Sequence, residues 1–204
     1  SRCAICWATR PTIIRSPGGS DSHENNSMLN PALLRESVAF SVMLARESLD
    51  VAAKSVDGAL DDDAASIAAA AALDAAAAYI AGGTRNVALR NASMDAFRLA
   101  RTIERGSMFH AIHAASAAAG AAFLHPPGGS TDAHQTKHIL GAAVHYVLCI
   151  EASGRDSMAA LVSVVQRTPD AIKELLRMYP EPVAGKQRYS AVLVLLYQAI
   201  TQSE

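Results

Sequence analysis

Six of the seven histidines in this 204-residue chain fall between Met108 and Glu151. The segment reads FHAIHAASAAAGAAFLHPP, then a Gly-rich turn, then DAHQTKHILGAAVHYVLCIE. Histidine changes protonation near neutral pH and is the commonest metal ligand. His134 and His138 are four apart and His145 is seven further on, a spacing that puts all three on one helical face. His110 and His113 are three apart and share a face. Two chemistries fit such a cluster. One is a divalent-metal site built from His110, His113, His134, His138 and His145. The other is a set of packing histidines, each satisfied by a carbonyl, Ser116 or Tyr146. The metal reading lacks carboxylates, because no HExxH occurs and no Glu stands at ligand spacing from a histidine.

Those side chains need helices to hold them, and the composition favours helices. Half the residues are hydrophobic but only 5% are aromatic. The core must therefore come from Ala, Leu, Val and Ile. Ala is the best helix former, since it loses no side-chain entropy and hides no polar group. No alternating strand pattern stands out. The expected fold is all-α, a single Ala-rich bundle of about seven helices. Residues 1–27 read as a disordered leader or an appended, non-native segment, with Met28 as the native start and 28–204 as the helical domain. Asn30 and Pro31 open the first helix. Asp61–Asp63 open the second, which runs to Ile80. The third begins near Thr84, Gly106–Ser107 break it, and the fourth runs from Met108 to Leu124. The fifth starts after a cap at Ser130, Thr131 or Asp132 and reaches Ala152. Shorter helices follow at 156–166 and after Pro169, and the last spans 186–201. Small side chains let helix axes approach closely. The second, fourth and fifth helices are thus expected inside, with Phe97, Leu140, Tyr146 and Leu195 filling gaps. The second helix also suits an outer position.

Charge and motif content exclude several classes. The net charge is −1, with no basic face for nucleic acid. No apolar run suits a membrane. Three cysteines make no disulfide framework, and the solitary Cys3–Cys6 pair lacks a redox-fold context. No phosphate loop, GxSxG or triad is visible, so no enzyme activity and no cofactor are expected. These features together suggest a cytoplasmic location.

The stretch KHILGAAVHYVLCIEA resembles the HALGAAxYAxKA-type segment of immunity proteins from bacterial polymorphic toxin systems. His134 and His138 stand where that family's paired histidines would be. Gly141, Ala142 and Ala143 match its small-residue run, Tyr146 falls near its aromatic, and His113–Ala119 is similar to its HAxATA stretch. Two features set this chain apart: the insert HPPGGSTD, and His145 where the pattern has an apolar residue. The resemblance implies a non-enzymatic protein that neutralises a cognate toxin by direct binding. Its partner would be a protein, a toxin domain, with no nucleic acid or membrane involved. A structural or homo-oligomerising domain is the remaining alternative. Near-zero net charge argues against strongly steered association. Affinity would then rest on an aromatic or Arg anchor. Arg98, Arg101, Met178, Tyr179 and Arg188 are the candidates, each expected at the surface.

Overall fold

A computed structural model describes residues 29–55 and 63–203. The leader reading for 1–27 and the Asp61–Asp62 start lie outside the described residues, as does Gly58, a glycine suited to closing the first helix. Among those described, eight α-helices occur and no strand. They are α1 (Pro31–Ala53), α2 (Asp63–Ile80), α3 (Val87–Ala100), α4 (Ser107–Gly120), α5 (Asp132–Ala152), α6 (Ser157–Arg167), α7 (Asp170–Arg177) and α8 (Arg188–Gln202). This is the all-α bundle the sequence suggests.

Local chemistry sets most boundaries. The Asn30 side chain accepts the Ala32 N–H at 2.9 Å, with Pro31 in the first turn of α1. Asn86 accepts the Leu89 N–H at 2.9 Å, which starts α3 at Val87 and not near Thr84. Asp156 caps α6 through the amides of Met158 and Ala159. Gly82 ends α2 with φ +108 and Gly154 follows α5 with φ +76, conformations open to glycine. One end differs from expectation, and one agrees in position but not in chemistry. Helix α4 stops at Gly120 and tightens into a 3-10 turn, Ala121–Phe123, before Pro126. At α5, Thr131 caps without a side-chain bond. The Asp132 carboxylate instead accepts the Gly128 and Gly129 amides, which fixes the turn.

Helix α4 is the centre, packed by α1, α2, α3 and α5. It can be buried on several sides because Ala111, Ala114, Ala115, Ala118 and Ala119 present only methyl groups. An Ala-rich core joins it to α2 through Ala65, Ala69, Ala72 and Ala76, and to α1 through Val38, Val42 and Ala45. A second core lies among α5 to α8 and is built from larger side chains, including Leu140, Val144, Leu161, Ile172, Leu176 and Leu196. Helix α1 serves both, since Leu34, Phe40 and Leu44 face the second core. Helix α2 takes the outer alternative: one face is buried while Ile67 is 66% exposed. Leu140 and Tyr146 fill the core as expected, but Leu195 does not, because α8 turns it outward. Helices α4 and α5 approach closely where a Cβ on Gly141 would lie 3.1 Å from the Ala117 Cβ. No helix of the described residues is long and apolar enough to cross a membrane.

Candidate functional site at the α4–α5 seam

Helices α4 and α5 form a hairpin around the turn at 124–131. Ala117 meets Gly141 within it, so one turn further from the loop His113 comes level with His145. The rings of His113 and His145 stack, 4.9 Å apart and tilted by 13°. One turn beyond, His110 Nδ1 lies 3.1 Å from His145 Nδ1. Three histidines thus share one seam.

Aromatic rings enclose them. Phe109 packs edge-on against His113 at 4.5 Å and against His110 at 5.0 Å. Phe97, from α3, meets His113 edge-on at 5.3 Å, and Tyr189, from α8, lies 5.1 Å from His145. Two exposed guanidiniums cover the outer side. Arg101 sits 5.8 Å from the centre of the Phe97 ring and Arg105 5.9 Å from that of Phe109, within cation–π range. Among the described residues neither is in an ion pair. Across the seam, Glu151 accepts a bidentate bond from Arg188, at 3.0 Å from Nε and 2.6 Å from Nη2 to the same oxygen.

This setting keeps the imidazoles neutral. Burial lowers His110 to about 4, helped by the charge of Arg105 and opposed by Glu151. Burial likewise lowers His113 to about 4, with His110 and Arg101 adding to it. His145 falls well below 6.5, through burial and then its two neighbours. Glu151 gives little relief because Arg188 already binds it and holds its carboxyl below the usual range.

The other histidines lie elsewhere. His134 is exposed near the start of α5 and His138 is half-buried one turn on. Burial, then the charges of His125 and His134, lowers His138 to about 4. The five candidate ligands therefore divide between the two ends of the hairpin: His110, His113 and His145 at one, His134 and His138 at the other. Among the described residues no three His, Cys, Asp or Glu side chains gather as a metal set. Ser116 is also committed, because it and Ser93 exchange hydroxyl-to-carbonyl bonds of 2.8 and 2.9 Å that clamp α3 to α4.

The five partner candidates fare differently. Arg101 is exposed on its Phe97 platform. Arg98 is exposed but paired with Asp95 at 2.8 Å. Met178 is 45% exposed, and Arg188 holds Glu151. Tyr179 corrects the expectation of a surface anchor: it is 3% exposed, and its hydroxyl donates to the His125 carbonyl while its own carbonyl accepts from Tyr197. It is a core strut that ties the turn at 125–131 to the end of α7. The rim residues Arg105, Phe109 and Tyr189 were not among the site candidates, and Phe97 was expected only as a gap-filler between helices. Phe109 carried a signal, its i,i+4 spacing to His113, but Tyr189 is distant in sequence and visible only through the packing of α8 on α5.

The chain matches no family model, no curated protein and no solved structure.

Proposed function

We propose that this protein is a non-enzymatic binding protein of the immunity type, which neutralises a toxin domain in the cytoplasm of the producing cell by docking on it. The observation that carries the reading is the rim of the seam. Two exposed guanidiniums, in no ion pair among the described residues, lie over the rings of Phe97 and Phe109. Arg and aromatic side chains supply most of the energy at protein interfaces. A guanidinium stacked on a ring keeps its N–H edges free for a partner's carboxylate or carbonyl. The resemblance around His138 to toxin-system immunity proteins supports the same reading.

The test is protection. A toxin-domain gene is sought beside the chain's own, its absence counting against the reading, and the chain is expressed together with the domain it encodes. The reading expects restored growth, and expects Arg101→Glu with Arg105→Glu to remove it while circular dichroism stays unchanged. Growth inhibition in the presence of wild-type protein would defeat it.

A further inference from the structure

The His110–His145 contact implies a proton count. Between two neutral imidazoles bonded through Nδ1, one Nδ1 carries the hydrogen and the other is bare. A first added proton goes to the bare Nε2 of the donor ring. The Nδ1–H···Nδ1 bond survives that step and becomes charge-assisted. A second proton has only the acceptor Nδ1 to go to. Both nitrogens, 3.1 Å apart, then carry hydrogen, and the bond breaks. Two imidazoliums now repel, and His113, stacked on His145, feels the new charge at 4.9 Å.

We propose that His110, His113 and His145 form a proton-operated latch on the α4–α5 seam. It is closed while the pair holds a single hydrogen between its Nδ1 atoms, and the second added proton opens it.

The groups around the rings agree with a latch that resists charging until acid forces it. The end of α3 and the following loop present Arg101 and Arg105, both cationic. The same loop carries exposed Glu104, and from α5 comes Glu151, already held by Arg188 of α8. Tyr189 of α8 adds a ring beside His145. Helices α1 and α2 meet α4 through apolar groups, Ala45 and Ala72 joining Ala111 and Ala115 in one core. Depressed affinity of all three rings for protons is consistent with this arrangement. Opening would displace Phe109, which packs on both His110 and His113, and with it Arg105. That last consequence rests on the docking reading, whereas the latch rests on the seam alone.

The experiment uses the full chain without a partner. Ring ¹⁵N spectra and amide exchange, corrected for intrinsic rate, are recorded from pH 7 to pH 4. At pH 7 one Nδ1 of the pair should read protonated and the other bare. Protection of amides at 107–113 and 142–150 should then fall by about 100-fold or more per pH unit, the slope of at least two linked protons. His145→Phe keeps a ring in the stack, removes one linked proton and should make the slope about tenfold per unit shallower than wild type. His110→Gln keeps a hydrogen-bonding side chain and should do the same, which covers the case where the Phe variant folds poorly. His138→Gln, at the far end of α5, should leave the local slope in place. Both Nδ1 atoms protonated at pH 7, a wild-type slope of about tenfold per unit or shallower, or wild-type slopes in both seam variants would overturn the latch. None of these outcomes bears on toxin protection at neutral pH, so the two proposals fail separately.

Discussion

The closeness of α4 and α5 makes a quantitative prediction at Gly141. An alanine there gains helix propensity, about 1 kcal/mol over glycine. Its Cβ, however, would sit 3.1 Å from the Ala117 Cβ, inside ordinary carbon contact, with the Tyr189 hydroxyl at 3.7 Å. Overpacking of this kind costs about 1–3 kcal/mol. Gly141→Ala should therefore be net destabilising, by about 1 kcal/mol. Ala117→Gly alone should also cost about 1 kcal/mol, for lost propensity. The double variant moves the methyl group from one helix to the other and removes the clash. It should return to near wild-type stability, a coupling of about 2 kcal/mol, well beyond the few tenths seen for independent sites. Urea unfolding followed at 222 nm gives the four stabilities, with the midpoint shifting at constant slope. If Gly141→Ala is stabilising and adds to Ala117→Gly, the helices do not touch at this level, and the register that aligns His113 with His145 is wrong.

Three further outcomes follow from the same structure. Gly120→Ala has more room, 3.4 Å to the Ser93 hydroxyl, and should stabilise by up to about 0.5–1 kcal/mol in the same unfolding assay. Tyr179→Phe leaves the His125 carbonyl without its donor and should cost about 1–2 kcal/mol, with faster amide exchange in the turn at 125–131. Acid should weaken the fold through its neutral histidines. The unfolded chain binds their protons near 6.5, while folded His113 and His138 resist until about 4. Stability is then complete above pH 6.5 and declines as the pH falls toward 4. Buried His113 alone accounts for up to about 3 kcal/mol of it. Urea midpoints at pH 7.5 and 4.5 should show the loss, and a midpoint that rises on acidification would reverse the sign of the argument.

Helix identity was legible because it is written locally. Asn30–Pro31, Asp156 and the glycines at 82 and 154 are signals that act within a few residues, whereas the Asn86 cap, just beyond Thr84, was missed. The break at Gly106–Ser107 and the stop before Pro126 are local too. What the alanines pack against is not written in this way, because a methyl group tolerates both the interior and the surface. Helix α2 could only be placed once α1, α3 and α4 were assembled. The histidines show the same limit. Spacing puts His134, His138 and His145 on one side of a helix, but hairpin register decides which of them meets α4. The Ala117–Gly141 approach selects His145 and leaves His134 in solvent. Tyr179 was placed at the surface for a related reason: nothing local shows that the end of α7 folds back beneath the His125 carbonyl.

Protection of a growing cell tests the account most directly, because it reads the proposed docking rim through function. On that proposal, wild-type protein expressed with a toxin domain encoded beside its gene should restore growth. The Arg101→Glu, Arg105→Glu pair, folded by circular dichroism, should lose that protection, while Arg98→Glu, whose side chain is already engaged by Asp95, should retain most of it. Full protection by the double reversal would contradict the assignment of the rim as the docking face.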